Sequence, residues 1–303
     1  FESLTGFNVY ESLCLNLAGH HFARVYPMRH GLHRALGSFG NPIPWSLFMA
    51  GMIPISAALR FDPAWSLRRG IAAGFIFLLG MYTGVSSGGL FAALIMLAVM
   101  AFSPVRPLLL PVIACTLLIA GTMQFVGPAC GLPSFTEFVT RFSLDANSGA
   151  YRMGLVGEAF HGGMRGHWIF GYGLVGLGVE AESGAFHWSH TDFVNLYIYK
   201  LVVYGLVGMV PYLIMIGATF ARLGVAIHYA MDRESAWLTW CFLSLVLGWQ
   251  IAFLTVSPMT QFATLYYAIL GIVAGLSGLV AGSYDEREDA ALLPNTALQG
   301  IPL

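Results

Sequence analysis

Charged side chains are scarce in this sequence. Only 10% of the 303 residues are Asp, Glu, Lys or Arg, whereas a soluble domain carries about 25% because its surface must face water. Hydrophobic residues make up 57% of the chain, and the mean hydropathy is +0.72. This composition excludes a soluble enzyme and a disordered chain. The net charge of −1 also excludes a nucleic-acid-binding protein, which needs an excess of basic residues. We therefore predict an integral membrane protein.

Residues suited to metal or cofactor binding are also few. The four cysteines are far apart and form no Cys-x-x-Cys pair, so neither a zinc site nor a disulfide framework is predicted. Glu180 and Glu182 offer a pair of carboxylates for Mg²⁺, but a solvated loop explains them as well. Residues 171–176 fit the Gly-x-Gly-x-x-Gly pattern, yet no strand precedes them, which argues against a dinucleotide site. We expect no metal and no cofactor.

Long apolar runs predict the fold. A helix needs about 20 apolar residues to cross roughly 30 Å of hydrocarbon, and seven stretches approach that length. They cover approximately 43–59, 70–86, 88–103, 107–127, 195–220, 236–256 and 261–282. Pro211 removes one ladder hydrogen bond and should kink its helix. We predict an all-α polytopic transmembrane bundle, a single membrane domain over 1–303. Because the sequence begins at Phe1 without a basic signal region, we expect further helices before it.

Basic residues predict the orientation of these helices. Seven arginines fall in connections or in the tail on one side of the predicted bundle: Arg60, Arg68, Arg69, Arg106, Arg222, Arg233 and Arg287. The positive-inside rule makes that side cytoplasmic. The long segment 128–194 then forms an extracytoplasmic loop, in which we expect short helices that roof a lipid-accessible cavity. Further cations on the outer side, among them Arg34 and Lys200, indicate a bound anion, although a long loop can cross regardless of its charge.

Four short strings follow one another between residues 151 and 208. They are Tyr151-Arg152, Ile169-Phe170-Gly171-Tyr172-Gly173, His190-Thr191-Asp192-Phe193-Val194-Asn195 and Tyr204-Gly205-Leu206-Val207-Gly208. Their order resembles the O-antigen ligase and polysaccharide polymerase superfamily of membrane glycosyltransferases. That family has an arginine before its large outer loop, a Gly-Tyr-Gly turn within it, a His/Asn motif at the start of the next helix, and a Tyr-Gly-Leu-Ile-Gly string after it. Residues 37–42 and 83–89 resemble two further segments of the family.

The sequence departs from the family pattern at two points. Ser87 stands where members have the arginine of a Ser-Arg-Gly turn, so one cation expected to bind diphosphate is missing there. Alignment on Gly205 places Asn195 on the family's asparagine and Val194 on its histidine. The nearest histidine is His190, one helical turn earlier. If the helix begins by residue 190, positions 190 and 194 share a face, so the imidazole still reaches the site.

The resemblance implies a site for a lipid diphosphate and an acceptor sugar. Such a transfer needs cations on the leaving diphosphate and a base near the acceptor hydroxyl. Arg152, as diphosphate clamp, and His190, as base or acceptor orienter, are the candidate catalytic residues. The candidate substrate-binding residues are Arg165, Arg141, His187, Asp192, Asn195 and Tyr172. The alternatives are a cation at lipid head groups for Arg152 and interfacial side chains for His190 and Tyr172.

The function implied by the resemblance is assembly of a bacterial cell-surface polysaccharide. A polymerase moves glycan from a polyprenyl-diphosphate carrier onto a lipid-linked repeat unit, and a ligase moves it onto lipid A core. Residues 191–197 look more like the polymerases. The implied partners are the lipid-linked glycan, an acceptor glycan, the bilayer and a chain-length regulator, with no nucleic acid. The implied location is the bacterial inner membrane, with the active site facing the periplasm. A transporter or flippase of an anionic lipid-linked glycan is the alternative from a different class.

Overall fold

The computed structural model of the chain is helical. It describes residues 1–19, 28–62, 64–134, 164, 166–173, 195–230, 232–257 and 260–292. Within these ranges there is no strand, and one isolated antiparallel bridge joins Arg29 and Leu32. The all-α fold class predicted from the sequence is confirmed for this part of the chain.

The α-helices of the described ranges are numbered here in chain order. They are α1 (Glu2–Thr5), α2 (Val9–Ala18), α3 (Pro42–Ala58), α4 (Leu67–Thr83), α5 (Ser87–Ala101), α6 (Leu109–Phe125), α7 (Leu196–Tyr229), α8 (Arg233–Ala252) and α9 (Thr260–Leu292). Three-residue to six-residue 3₁₀ helices occur at Leu59–Phe61, Ser103–Leu108 and Pro128–Cys130. Each of the helices α3 to α9 overlaps one of the seven predicted apolar stretches.

Three of these helices are long and apolar enough to cross a membrane. They are Pro42–Phe61, which includes the 3₁₀ turn after α3, Leu196–Tyr229 and Arg233–Ala252. Helix α5 and parts of α6 and α9 are apolar but shorter. That the remaining predicted stretches also cross the bilayer stays a prediction.

Helices α7 and α9 extend beyond the apolar stretches that predicted them. The predicted ends were 220 and 282, whereas the helices continue to Tyr229 and Leu292. No proline occurs in 221–229 or 283–292, and good helix formers such as Ala, Leu and Arg occur in both. The end of an apolar run therefore indicates where the helix becomes more polar, and it does not mark the end of the helix itself.

Polar side chains define where several helices begin. At α3, the Asn41 side chain accepts a hydrogen bond from the Ile43 amide at 2.9 Å, and Pro42 follows at a position that needs no amide hydrogen. At α8, the Asp232 carboxylate accepts from the Ser235 amide at 2.6 Å. These caps satisfy amide groups that have no partner inside their own helix.

Helix α8 lies in the core, against α3 and α5. Three of its indole N–H groups donate to main-chain carbonyls of those helices: Trp237 to Ala57 (2.7 Å), Trp240 to Val99 (2.8 Å) and Trp249 to Leu47 (3.1 Å). Trp249 is fully buried, and a Cβ on Gly51 of α3 would lie 2.6 Å from its ring. The tryptophans thus bury apolar area and satisfy their polar N–H groups at the same time.

Side-chain contacts define two ends of the bundle. At one end, called the basic end, guanidinium groups lie over aromatic rings: Arg60 over Trp237 (5.9 Å), Arg106 over Trp240 (5.7 Å) and Arg233 over Phe61 (6.0 Å). At the other end, called the Asn195 end, α7 begins beside the end of α8, and the Leu196 amide donates to the Phe253 carbonyl at 3.0 Å. Three of the arginines predicted to share one side therefore lie at one end. Its cytoplasmic location stays a prediction from their charge.

Candidate functional site

Helix α7 is broken at Gly205. This residue has φ 62° and ψ −162°, in a region that glycine adopts far more readily than other residues. In a continuous helix the amides of Leu206 and Val207 would donate to carbonyls four residues earlier. The break separates those groups, so both halves of the helix need new main-chain partners.

The break does not lie at the proline that predicts a kink. Pro211 is inside α7, but the non-helical residue is Gly205. A proline removes one donor and keeps a helical φ, whereas glycine permits the positive φ that a sharp break requires.

The turn formed by residues 166–173, called the docked turn below, supplies the missing partners. Three main-chain hydrogen bonds join the turn to α7: Leu206 N–H to Trp168 C=O (2.8 Å), Val207 N–H to Ile169 C=O (3.0 Å) and Tyr172 N–H to Val202 C=O (2.9 Å). The Leu206 and Val207 amides, which follow the break, and the Val202 carbonyl, which precedes it, thereby all have hydrogen-bond partners. Irregular backbone at this position in a membrane helix needs such compensation.

Two glycines permit this close approach. Gly171 and Gly205 both have positive φ, at 68° and 62°. A Cβ on Gly171 would lie 2.6 Å from the Gly205 nitrogen and from the Val203 carbonyl, and a Cβ on Gly205 would overlap the Ile169 carbonyl. The strings 169–173 and 204–208, which the sequence analysis singled out separately, therefore form one structural element.

Lys200, the only lysine in the chain, lies in α7 between the Asn195 end and the break. Its ammonium nitrogen is 5.0 Å from the centroid of the Tyr204 ring and 5.9 Å from that of Tyr212, within the range of cation–π attraction. No carboxylate in the described part of the chain forms an ion pair with it. An ionisable side chain inside an apolar helix indicates function, so Lys200 is a candidate for attracting an anion near the break.

A hydrogen-bonded cluster supports the rings beside Lys200. Gln250 Oε1 accepts from the hydroxyls of Tyr197 (2.9 Å) and Tyr212 (3.0 Å), and Gln250 Nε2 donates to the Tyr266 hydroxyl (2.7 Å). These residues come from α7, α8 and α9. Because Tyr212 contacts both Gln250 and Lys200, the cluster holds one of the rings over which the ammonium lies.

Tyr172, a predicted substrate-binding residue, lies in the docked turn. Its ring stacks on the His167 imidazole, with centroids 4.0 Å apart and planes at 21°. The stack places an imidazole that the sequence analysis did not select beside a residue that it did. Sugar binding by Tyr172 stays a prediction.

Asn195, another predicted substrate-binding residue, caps α7. Its side-chain oxygen accepts from the amides of Tyr197 (2.9 Å) and Ile198 (3.1 Å), and its Nδ2 donates to the Leu254 carbonyl (2.7 Å). The structure therefore assigns Asn195 to the start of α7 and to its contact with the end of α8. Because Asn195 is extended and α7 begins at Leu196, the expectation that this helix begins by residue 190, with positions 190 and 194 on one of its faces, is wrong. One amide hydrogen is left for a ligand, and substrate binding by Asn195 stays a prediction.

The other predicted site residues lie outside the described part of the chain. They are Arg152, His190, Arg165, Arg141, His187 and Asp192. Most of the predicted extracytoplasmic loop, 128–194, lies outside it too. The roles assigned to these residues stay predictions.

Arg34 lies beside the 84–89 link, where the sequence departs from the family pattern. Its Nε donates to the Gly84 carbonyl at 3.3 Å. The sequence analysis noted Arg34 as a cation of the outer side but did not select it as a site residue. Arg34 and Gly84 are far apart along the chain, so nothing local in the sequence indicates their contact. The Arg34 guanidinium is thus close to the link in which Ser87 stands in place of an arginine.

Comparisons with known proteins add no relative. No protein-family model, no curated protein and no solved structure matches the chain. Within the described residues, no group of three His, Cys, Asp or Glu side chains could hold a metal ion, and the expected metal-free site stays a prediction.

Proposed function

We propose that this chain is a membrane-embedded glycosyltransferase that polymerises a bacterial cell-surface polysaccharide. It moves glycan from a polyprenyl-diphosphate carrier onto a lipid-linked acceptor repeat unit, at the Asn195 end. The observation that carries the proposal is the pairing of the docked turn with the break in α7. Two of the four strings that resemble the polymerase and ligase superfamily meet there in one element, which supports a shared structural role for them.

The reaction requires positive charge near the leaving group. The acceptor hydroxyl oxygen attacks the anomeric carbon, the bond from that carbon to the diphosphate oxygen breaks, and the electron pair stays on the diphosphate. A cation beside those oxygens stabilises the developing charge. Lys200 supports the proposal because it is a cation without a carboxylate partner among the described residues.

The remaining roles follow the sequence predictions. Arg152 binds the diphosphate through its planar fork, which suits phosphate oxygens. His190 takes the proton that leaves the acceptor hydroxyl, since imidazole exchanges protons near neutral pH. In this proposal the protein lies in the bacterial inner membrane, and the Asn195 end faces the periplasm.

The surface of α7 suits a substrate with a lipid tail. Leu206, Val207 and Val210 follow the break and are exposed. They continue toward the middle of the predicted span, whereas Lys200 lies on the other side of the break. A polyprenyl diphosphate matches this arrangement, because its charged diphosphate lies at the membrane surface and its apolar chain lies in the hydrocarbon below.

The break in α7 also favours a second candidate, a transporter of an anionic lipid-linked glycan. Transporters place substrate sites at discontinuous helices, commonly in a pair related by an internal repeat. Among the described helices of spanning length, α7 is the one with a non-helical interior residue, and no internal repeat is visible in the sequence. The single break therefore fits the transferase better.

The test is incubation of the purified full chain, in lipid nanodiscs, with a polyprenyl-diphosphate-linked repeat unit. The transferase proposal expects lipid-linked glycans of two or more repeat units. Products that appear only when lipid A core is added would indicate a ligase. Movement of unchanged substrate across proteoliposomes, without chain growth, would indicate a transporter and would contradict the proposal.

A further inference from the structure

Two short helices, α1 and α2, lie beside the start of α3. The Glu2 carboxylate of α1 accepts from the amides of Leu36 (3.0 Å) and Gly37 (3.1 Å), and the Asn8 side-chain amide at the start of α2 donates to the Gly37 carbonyl (3.0 Å). Gly37 shortly precedes Pro42, where α3 begins. These hydrogen bonds attach both short helices to the bundle at the point where its first long helix starts.

This attachment is at the Asn195 end of the bundle. The Ala57 carbonyl, near the end of α3, accepts from the Trp237 indole at the basic end, so α3 begins at the opposite end. Helix α1 also contacts the end of α4, where the Ser3 hydroxyl lies 3.4 Å from the Thr83 carbonyl. Helices that cross a membrane begin and end near its surface, so α1 and α2 lie at that level. The ten residues of α2 are too few to cross.

One face of α2 is apolar and exposed. Val9, Leu13 and Leu17 follow one another at intervals of four residues, which places them on one side of the helix, and Tyr10 adjoins them. All four are more than half exposed, from 51% at Tyr10 to 79% at Leu17. Four large apolar side chains side by side form a patch, whereas a single exposed one needs no explanation.

The more polar side of α2 is turned toward the protein. Glu11 and Ser12 lie away from the apolar face and are half-buried. A surface helix of a water-soluble protein has the reverse arrangement, with its apolar stripe against the core and its charged side in solvent. Asn16 is exposed beside Val9 at the edge of the apolar face, which suits a boundary between polar and apolar surroundings. The orientation of α2 therefore indicates that its surroundings are apolar.

No basic residue accompanies this face. Residues 1–19 contain no Lys or Arg, and their two charged side chains are Glu2 and Glu11. Helices that bind anionic lipid surfaces carry Lys or Arg on the polar side. Attraction to charged head groups therefore does not hold α2 at a membrane. The apolar side chains are left to do so, and Tyr10 suits the interface between head groups and hydrocarbon.

We propose that α2 lies in the bilayer surface at the Asn195 end, with Val9, Leu13 and Leu17 in the hydrocarbon of that leaflet. The occupant of the apolar face is thus the lipid itself, whatever the charge of its head group. The hydrogen bonds of Glu2 and Asn8 hold the helix against the bundle, and the contact with lipid is favourable because it removes apolar surface from water. This inference does not depend on the glycan chemistry proposed above.

Spin-label accessibility tests this in the full chain, reconstituted in phosphatidylcholine nanodiscs. Cys241 is kept, because it is buried and does not react, and the other three cysteines are replaced by alanine. A nitroxide is attached at Leu13→Cys or at Leu17→Cys. Its collisions are measured with oxygen, which concentrates in hydrocarbon, and with a neutral nickel chelate, which stays in water.

Three further sites provide references. Ile214→Cys, on the exposed surface of α7, reports lipid, and Ala64→Cys, in the connection after α3, reports water. Ser12→Cys is the matched control on the other side of α2. Labels at positions 13 and 17 should collide more with oxygen and less with the chelate than the label at position 64, as at position 214. The label at position 12 should collide less with both reagents, and phosphatidylglycerol nanodiscs should give the same results.

Three outcomes would overturn the proposal. Collisions mainly with the chelate at positions 13 and 17, as at position 64, would show that the face is in water. Few collisions with either reagent, as at position 12, would show that a protein covers it, such as a second copy of the chain. Protection from the chelate only in phosphatidylglycerol would show attraction to charged head groups. If Leu13→Cys does not fold, Leu17→Cys carries the test, since Leu17 is the most exposed of the four and its replacement should leave the unfolding temperature unchanged.

Discussion

Gly171 and Gly205 contact each other so closely that a Cβ on the first would lie 2.6 Å from the amide nitrogen of the second. Both residues have positive φ, and neither has room for a side chain. Contact between these two glycines is what lets the docked turn satisfy the broken helix.

Alanine at either glycine should undock the turn. Gly173 provides a matched control, because it also has positive φ (67°) but nothing lies within 4 Å of its Cβ position. Gly173→Ala should therefore show only the cost of the left-handed backbone, about 1–2 kcal/mol. Gly171→Ala should lower the unfolding temperature further, measured on the purified full chain in detergent.

The double variant separates docking from local strain. Since Gly171→Ala and Gly205→Ala disrupt the same contact, combining them should cost less than the sum of the two. Strict additivity, or a Gly171→Ala effect no larger than that of Gly173→Ala, would show that the close contact does not stabilise the protein.

The single lysine allows a chemical test of the anion site. An amine-reactive reagent modifies this 303-residue chain at Lys200 and at the terminal amine. If the diphosphate lies against the ammonium, a polyprenyl diphosphate should slow modification of Lys200 by roughly tenfold, as for one charge-assisted contact. Modification of the terminal amine is the internal control. The corresponding uncharged polyprenol should not protect, and equal protection by both lipids would indicate simple burial by the lipid tail.

The arginines at the basic end predict the orientation. Reporter fusions after Arg69 and Arg233 should give a cytoplasmic signal, because both follow the positive-inside rule. A fusion near Gly149 should give an external signal. A cytoplasmic signal at Gly149 would reverse the orientation of 128–194 and would remove the glycan-assembly proposal with it.

The Asp232 cap predicts a pH dependence of stability. The hydrogen bond from the Ser235 amide holds the pKa of this carboxyl below its usual range. The stabilisation is therefore present above the unfolded-state pKa and is lost as pH falls through the lower folded-state pKa. Asp232→Asn keeps an acceptor oxygen but does not titrate. The stability difference between natural chain and variant should shrink in acid and should be small, because the carboxylate is exposed; a difference that is constant with pH would contradict this.

Local features of the sequence predicted seven of the nine α-helices in the described part of the chain. Helices α3 to α9 follow apolar runs. Such a run can be recognised from consecutive residues alone, without knowing which other segments it contacts. The ends of α7 and α9 were predicted too early, because hydropathy falls before helix propensity does. The cap at Asn195 was also readable from the sequence, as an asparagine before an apolar run is a typical helix start.

Contacts between distant segments were not predictable in the same way. The sequence singled out 169–173 and 204–208, but nothing local indicates that their main chains bond to each other. The same holds for Arg34 beside Gly84, and for Lys200 over the rings of Tyr204 and Tyr212. These contacts depend on how the helices and loops meet, and a single sequence does not specify that.

The most direct measurement of the proposed function follows the length of lipid-linked glycan made by purified protein. The natural chain is compared with Arg152→Lys, which keeps the charge but loses the planar fork, and with Arg222→Lys, the same change in an arginine of the predicted cytoplasmic side. We expect the natural chain and Arg222→Lys to extend a polyprenyl-diphosphate repeat unit at similar rates. Arg152→Lys should be slower by roughly two orders of magnitude, the effect of losing a few kcal/mol of transition-state stabilisation. No extension by the natural chain, or an equal rate in Arg152→Lys, would contradict the proposal.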